Sequence, residues 1–381
     1  MEIYFDNSAT TRPYDEVAAA VYDTMKINYG NPSSLHKLGI EAERAVKQAK
    51  ERIASALKAS PGEILFTSGG TESDNIALLG ATGAGRGRHI ISTPLEHPAV
   101  LNTLDELKKR GYIVEYIPVD TSGRVKLNDF KRMIRPDTVL VTAMLVNNEI
   151  GTIEPVKEMS RFLKAANPRA LMHVDAVQGF GKVPMTADSL GADLISLSSH
   201  KIHGPKGMGA LYIRKGVRVK PILFGGGQQQ GLRSGTENVP GIVGFGLAAK
   251  MAVTDLAEKT SRMEAIRNRL RDGIKNNIDN IMINTPEIAA PHILNISFGG
   301  TKAEVVLHSL EMQDIFVSSG SACSSHKKEP SYVLTEIGVP RKMIDGSIRF
   351  SLSEFNTEDD ADAAIEALKS IIPRLRKLNM R

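Results

Sequence analysis

Short apolar runs alternate with longer stretches of helical periodicity from about residue 40 onward. Runs typical of β-strands occupy residues 63–67, 89–92, 112–116, 138–142, 171–174 and 194–197. Most of them are separated by helical stretches, such as the one over residues 40–57 that precedes the first run. This alternation predicts an α/β domain built on a largely parallel sheet.

The pattern changes after a long helical stretch that begins beyond Pro240 and continues to about Arg271. Strand-like residues 292–298 and 347–352, helix-like residues 303–310 and a final helix from about Thr357 predict a compact α+β unit. We therefore predict a large domain over residues 15–255 and a small domain formed by residues 1–14 and 256–381. The boundary falls within the predicted long helix, near residue 255.

The composition is that of a globular protein, with 41% hydrophobic and 24% charged residues in 381. No apolar run approaches the roughly 20 residues that a membrane helix needs, and the chain does not begin with a charged leader and a hydrophobic stretch. We therefore expect a cytoplasmic protein without membrane contact. The net charge of +5 comes from interspersed signs and only 5% of residues are aromatic, so direct nucleic-acid binding is not expected.

The chain contains a single cysteine, Cys323, which excludes an internal disulfide framework and a cysteine-based zinc site. Cys323 lies among the small and hydroxylated residues 318–325, a composition typical of a surface loop. Such a thiol is either an incidental free cysteine or a nucleophile that has to travel. Candidate binding residues elsewhere in the chain are needed to distinguish between these two interpretations.

Candidate binding residues follow the predicted strands, where ligands gather in doubly wound α/β proteins. Residues 68–73 include two glycines and lead into a helix, so they form either an anion site or an ordinary helix start. Asp175 ends a strand and is either a helix cap or a ligand-binding carboxylate. Lys201 follows another strand, and burial there would make its amine nucleophilic, as Schiff-base chemistry requires. Together they offer the three contacts that pyridoxal phosphate needs: an amine, a carboxylate and an anion site.

Two further side chains suit the same chemistry. His97 follows the strand at residues 89–92 and could stack on a flat cofactor ring or transfer protons near neutral pH, but an ordinary loop histidine is an equal alternative. Arg349 lies inside a half-buried apolar strand, where a guanidinium needs a carboxylate partner. A bidentate contact with a substrate carboxylate would meet that need.

Several motifs occur in a fixed order along almost the whole chain. They occupy residues 4–11, 30–34, 68–75, 96–97, 147–149, 173–176, 198–207, 233–237, 318–323 and 347–352. With these motifs in this order, the chain resembles the cysteine desulfurases of the class V aminotransferase-like superfamily, which depends on pyridoxal 5'-phosphate. The resemblance implies a fold of the aspartate aminotransferase type, with a mostly parallel seven-stranded sheet in the large domain and a smaller α+β domain.

The resemblance also implies roles for individual residues. Lys201 forms a Schiff base with the cofactor and then moves a proton between the substrate Cα and the cofactor. His97 stacks on the ring, and Asp175 bonds the pyridine nitrogen. The ring hydroxyl and the substrate side are held by Gln178 and Asn148. The phosphate contacts come from Gly70, Thr71, Ser198, His200 and, from the second subunit of a homodimer, Thr236.

For the substrate, the resemblance implies that Arg349 binds the carboxylate of L-cysteine. Cys323 as a thiolate attacks the substrate sulfur, which releases L-alanine and leaves a persulfide on Cys323. The sulfur then passes to a protein acceptor, such as an iron–sulfur scaffold, a tRNA-thiolation protein or a nitrogen-fixation system. No resident metal is expected, although Cys323 could transiently ligate an iron–sulfur cluster.

Three alternative functions fit parts of this pattern. An aminotransferase of the same superfamily has no need for Cys323 on a loop. A sulfur-relay component that mainly binds partners has no need for Lys201 with its pyridine and phosphate contacts. A selenocysteine lyase would use the same residues and stays open.

Overall fold

The computed structural model describes residues 2–85, 87–320 and 330–379, so Cys323 lies outside the described residues. The strands are β1 (Ile3–Tyr4), β2 (Ile64–Thr67), β3 (His89–Ser92), β4 (Ile113–Tyr116), β5 (Thr138–Met144), β6 (Leu171–Asp175), β7 (Leu194–Ser198), β8 (Gly209–Ile213), β9 (Ile281–Ile283), β10 (Ile293–Phe298), β11 (Ile315–Phe316) and β12 (Ser347–Ser351). The helices are α1 (Asp15–Ile27), α2 (Lys37–Leu57), α3 (Gly70–Asn75), α4 (Ala81–Ala84), α5 (Pro98–Lys109), α6 (Leu127–Met133), α7 (Val156–Ala166), α8 (Ala187–Leu190), α9 (Val239–Val253), α10 (Leu256–Asn277), α11 (Ala303–Glu311), α12 (Tyr332–Glu336), α13 (Arg341–Ile344) and α14 (Glu358–Asn379).

Seven strands form the central sheet, in the order β2-β8-β7-β6-β5-β3-β4. β8 is antiparallel to both of its neighbours, and the other adjacent pairs are parallel. This topology confirms the predicted α/β fold with a mostly parallel seven-stranded sheet. The six apolar runs correspond to β2 to β7, whereas β8 is a seventh strand that none of those runs predicts.

The central sheet is buried on both faces. Ile90 and Leu140 belong to the core on one face, and the next residues, Ile91 and Val141, belong to the core on the other face. Successive side chains of a strand point to opposite faces. A sheet covered on both sides therefore produces the continuous apolar runs seen in this sequence.

The single long helix predicted beyond Pro240 is wrong, because this stretch forms two helices, α9 and α10, bent by 74°. Asp255, which lies between them, has a left-handed backbone (φ 54°, ψ 32°) that interrupts the helical path. α9 packs against α1 and α2, whereas α10 packs against α14. Among the described residues, no single helix is long and apolar enough to cross a membrane, and α9 with α10 meets that criterion only as a bent pair.

A second core surrounds the antiparallel sheet β12-β10-β9 and includes residues of α10, α11 and α14. Ile3 and Phe5 belong to this core, since β1 pairs in parallel with β11. The chain then continues to Ser8 and Ala9, which lie beside Asp175 and Ser198 at the carboxyl ends of β6 and β7. The first residues of the chain thus join the second core to the edge of the central sheet.

Candidate active site

A cavity of about 260 Å³ lies at the carboxyl ends of three adjacent parallel strands. The last residues of β5, β6 and β7, which are Met144, Asp175 and Ser198, all line it. Further lining residues come from the segment before α1, from α3, the start of α5, the turns after β5, β6 and β7, α12 and β12. They are Ser8, Ala9, Gly70, Thr71, Asp74, His97, Pro98, Val146, Asn148, Val177, Gln178, His200, Lys201, Tyr332 and Arg349.

Lys201 ends a short 3-10 turn, Ser199–Lys201, that follows β7 directly. Its Nζ donates hydrogen bonds to the carbonyl oxygens of Ser8 at 2.5 Å and Ala9 at 2.7 Å. The N-terminal segment therefore forms one wall of the cavity and holds the amine by main-chain oxygens.

Asp175 is buried at the end of β6, and its carboxylate accepts a hydrogen bond from the Val177 N–H at 2.9 Å. Burial raises the pKa of Asp175, and the charge of Lys201 opposes that shift. Asp74 on α3 is also buried, and burial together with the charge of Asp175 raises the pKa of Asp74 well above its ordinary value. Two buried carboxyls cannot both ionise cheaply, so Asp74 carries the proton and Asp175 is the ionised member of the pair.

Two histidines line the cavity as neutral rings at pH 7. His97 caps α5, with its Nδ1 accepting a hydrogen bond from the Ala99 N–H at 3.1 Å. Burial, helped by the charge of Lys201, lowers the pKa of His97 to about 4. The same causes lower the pKa of His200 to about 4, and its Nδ1 lies 3.2 Å from the Thr10 hydroxyl.

Six residues of the cavity wall carry buried polar atoms that have no hydrogen-bond partner among the described residues. These atoms are Ser8 Oγ, Asp74 Oδ1, Asn148 Oδ1, Gln178 Oε1, Ser198 Oγ and Arg349 Nε. Buried polar groups in proteins are nearly always hydrogen-bonded, and each exception requires an explanation. Their concentration around one cavity indicates a binding site for a polar ligand.

Arg349 lies on β12 and is only 2% exposed. Its Nη1 donates to the carbonyl oxygen of Asn148 at 2.8 Å, and its Nη2 donates to Asp6 Oδ1 at 2.9 Å. Nε has no hydrogen-bond partner among the described residues. A guanidinium has five N–H donors, so Arg349 is fixed in place by protein groups and still has donors for an anion in the cavity.

Every predicted site residue that the structure describes lines this cavity except one. The exception is Thr236, which is exposed. The prediction gave no role to Ser8, Asp74, Tyr332 or Lys182. Ser8 and Asp74 fall within motif segments, whereas Tyr332 and Lys182 do not.

Lys182 is a buried amine near the site that sequence reasoning missed. Its Nζ has no hydrogen-bond partner among the described residues. Burial, helped by the charges of Lys201 and Arg349, lowers the pKa of Lys182 to about 7. The sequence offered no signal, because the surroundings of Lys182 depend on the tertiary fold.

Comparison with known proteins matches residues 3–364 to the class-V aminotransferase family. The chain is 42% identical over 381 residues to the cysteine desulfurase IscS of Dictyoglomus turgidum, covering 99% of this chain and 96% of that protein. It is 43% identical over 379 residues to IscS of Methanosarcina thermophila, covering 99% and 93% of the two chains. The chain belongs to the cysteine desulfurases.

Solved structures agree with this family. A NifS-like protein superposes with a TM-score of 0.93 at 43% identity, covering 98% of this chain and all of that one. SspA, solved in complex with cysteine, superposes with a TM-score of 0.82 at 33% identity, covering 94% and 100% of the two chains. The predicted cysteine desulfurase activity and fold are thereby confirmed, and the class-V family is one that uses pyridoxal phosphate.

Proposed function

We propose that this desulfurase binds pyridoxal 5'-phosphate in the cavity and passes the sulfur of L-cysteine to Cys323. One observation carries the proposal: the Lys201 amine, the Asp175 carboxylate and the Arg349 guanidinium all line a single cavity of about 260 Å³. These are the groups needed for an aldehyde, a pyridinium nitrogen and a substrate carboxylate.

The residues of the cavity wall fit the cofactor. A pyridinium N–H would give the buried Asp175 carboxylate the cationic partner that its burial demands. The unpartnered oxygens of Gln178 and Asn148 suit the ring hydroxyl, and the unpartnered Ser198 hydroxyl suits the phosphate. The first N–H groups of a helix have no partner within the helix, so the backbone at Gly70 and Thr71 is the remaining phosphate contact, together with His200.

Bound pyridoxal phosphate supplies an electron sink for the bonds at the substrate Cα. Lys201 Nζ, held at the carbonyls of Ser8 and Ala9, is the amine that attaches the cofactor and moves the proton at Cα. His97 is neutral because its pKa is about 4, so its ring can stack without adding a second positive charge. The donors of Arg349 orient the substrate by its carboxylate.

Cys323 completes the reaction as the nucleophile. Its thiolate attacks the substrate sulfur, so that a sulfur–sulfur bond forms while the carbon–sulfur bond of the substrate breaks. The electron pair stays with the substrate carbon, which takes up a proton and leaves as L-alanine. No external oxidant is needed, because the two electrons that the sulfur atoms lose on forming the persulfide are the two that reduce the substrate carbon.

A homodimer is the proposed assembly, with Thr236 entering the cavity of the partner subunit. Thr236 is exposed and absent from its own cavity, and large apolar side chains are exposed on and after α1, including Tyr29 at 69% and Leu35 at 95%. Exposed apolar surface of this kind marks interaction sites. Sedimentation equilibrium that gives only a monomer would remove this part of the proposal.

The proposed acceptor of the Cys323 sulfur is a protein of iron–sulfur cluster assembly. This proposal is supported by the similarity of the chain to proteins named IscS. The chain covers more than 90% of the length of each. Transfer of radiolabelled sulfur from Cys323 to a purified scaffold protein tests the proposal, and retention of all label on Cys323 would contradict it.

The test of cofactor binding is a titration of the purified chain with pyridoxal phosphate. We expect a yellow protein that absorbs near the visible–ultraviolet border and saturates at one cofactor per chain. The physical reason is the attachment of the conjugated ring to Lys201. A chain that stays colourless after incubation and gel filtration would refute the proposed function.

Arg349→Gln is expected to raise the KM for L-cysteine at least about 30-fold. A loss of binding affinity of this size follows when one partner of a buried charge pair is truncated. Arg267→Gln is the matched control, because Arg267 is equally buried at 2% exposure but donates to the carbonyls of Ala289 and Ala290. Steady-state kinetics on cofactor-loaded protein gives the comparison. Equal KM values for the two variants would contradict the role of Arg349.

A further inference from the structure

Glu149 is a buried carboxyl for which the proposed reaction has no use. It follows β5 in the same turn as Asn148 and is 0% exposed. Its Oε2 accepts a hydrogen bond from the Ser331 hydroxyl at 2.6 Å, and its Oε1 has no partner among the described residues. Burying an acidic side chain carries a free-energy cost, so its presence here calls for a function.

The same oxygen of Glu149 also lies close to Gly320. A Cβ placed on Gly320 would be 3.7 Å from Glu149 Oε2, and the backbone φ of +103° at Gly320 is one that only glycine adopts readily. Ser318 donates through its Oγ to the Gly320 carbonyl at 3.2 Å. Glu149 Oε2 is thus hydrogen-bonded to Ser331 after Cys323 in the sequence and lies close to Gly320 before it.

Ser331 also fixes a part of the cavity wall. Its Oγ accepts the Leu334 N–H at 3.1 Å and so caps α12. The first residue of that helix, Tyr332, lines the cavity and donates through its hydroxyl to the Glu96 carbonyl at 2.5 Å. The Glu149–Ser331 hydrogen bond therefore orients the hydroxyl that caps α12.

Hydrogen bonds with two asparagines fix the turn that contains Glu149. Asn147 Oδ1 accepts the N–H groups of Glu149 at 2.9 Å and Ile150 at 3.0 Å. Asn295 Nδ2 donates to the Glu149 carbonyl at 3.1 Å.

The same turn is tied to the strand that carries Arg349. The Asn148 carbonyl accepts Arg349 Nη1. The backbone of Arg349 in turn pairs with Ser318 in both directions, at 2.8 and 3.1 Å. One rigid unit thus contacts the substrate-binding arginine and both flanks of the cysteine segment.

We propose that Glu149 is a positioning residue that fixes both ends of the segment bearing Cys323 relative to Arg349. The inference rests on the proposed function of Cys323 as sulfur acceptor. Cys323 is three residues beyond Gly320, so the position of Gly320 limits the distance that the thiol can reach. Misplacement of a reacting group by about 1 Å can cost about 10²-fold in rate.

The experiment compares Glu149→Ala with Glu154→Ala in cofactor-loaded protein. Glu154 is a matched control, since it is also a buried glutamate but accepts its hydrogen bond from the Val125 N–H. We expect Glu149→Ala to slow single-turnover persulfide formation on Cys323 by about 10²-fold. The KM for L-cysteine and the absorbance change on adding L-cysteine should stay as in Glu154→Ala, because substrate binding precedes the thiol step.

Two further variants keep the inference testable if Glu149→Ala does not fold. Glu149→Gln retains an oxygen that can accept from Ser331, and we expect it to restore the rate to within about threefold of the unaltered protein. Ser331→Ala removes the same hydrogen bond from the other side and should slow persulfide formation without changing KM. The rate of Cys323 alkylation by iodoacetamide in cofactor-loaded protein without L-cysteine should also change in Glu149→Ala and Ser331→Ala, but not in Glu154→Ala.

The outcomes separate the inference from the proposed function. Persulfide formation and alkylation at control rates in Glu149→Ala, or in Ser331→Ala where the former is unfolded, would overturn the positioning role alone. Absence of any Cys323 persulfide in the unaltered protein would overturn the proposed function and this inference with it.

Discussion

Cys323→Ala is expected to abolish sulfur release from L-cysteine while leaving pyridoxal phosphate bound. The thiolate is the competent nucleophile for the substrate sulfur, and removal of a catalytic nucleophile costs on the order of 10⁴-fold or more in turnover. Because Cys323 is the single cysteine of the chain, no other thiol of the same molecule can take its place. The measurement is alanine production by cofactor-loaded protein, together with sulfide production in the presence of a thiol reductant that cleaves the persulfide.

Cys323→Ser is the matched control for this variant. It keeps the size of the side chain but supplies a hydroxyl, whose much higher pKa leaves almost no anion at neutral pH. We expect it to be as inactive as Cys323→Ala, with the absorbance of the bound cofactor unchanged in both. Turnover of either variant at the rate of the unaltered protein would refute the assignment of Cys323 as nucleophile.

Lys201→Ala is expected to lose covalent attachment of the cofactor and about 10²–10⁴-fold in the proton-transfer step. Lys201 is the lysine that lines the cavity within the described residues, and its Nζ is held by two main-chain carbonyls. Borohydride reduction followed by peptide mapping measures the attachment: the unaltered protein should carry a pyridoxyl group on Lys201, and the variant should carry none.

Lys206→Ala is the control for Lys201→Ala. Lys206 belongs to the same loop but is exposed and does not line the cavity. We expect it to retain the label on Lys201 and nearly full turnover. A pyridoxyl group found on another residue of the unaltered protein would contradict the role of Lys201.

The central sheet was predictable where a strand is buried on both faces. Such strands give continuous apolar runs, and β3 agrees with its predicted run at residues 89–92 at both ends. β8 was not predicted as a strand because its apolar run directly follows a turn rich in glycine and proline, and no helix separates it from β7. The break at Asp255 was not predicted because no proline or glycine marks it in the sequence, and the different packing partners of α9 and α10 are visible only in the fold.

The cavity residues were predictable where a polar or reactive side chain ends a parallel strand or directly follows it. Asp175 and Ser198 end β6 and β7, and Lys201 follows three residues after β7, so strand topology alone brings them to one edge of the sheet. Tyr332 and Lys182 could not be found in this way. Their positions depend on contacts between segments distant in sequence, such as the Tyr332 hydroxyl on the Glu96 carbonyl.

The electrostatic state of the site also required the structure. Nothing in the sequence around His97 indicates that its pKa falls to about 4, since burial and the nearby Lys201 charge arise only in the fold. The same holds for Asp74 and Asp175, which are distant in sequence and are both buried beside the same cavity.

The most direct test of the account is mass spectrometry of the peptide that contains Cys323. Cofactor-loaded protein is mixed with one equivalent of L-cysteine in the absence of thiol reductant, quenched rapidly in acid and digested. We predict that this peptide gains the mass of one sulfur atom, in an amount equal to the L-alanine formed. Formation of L-alanine with the Cys323 peptide unmodified throughout the time course would contradict the account.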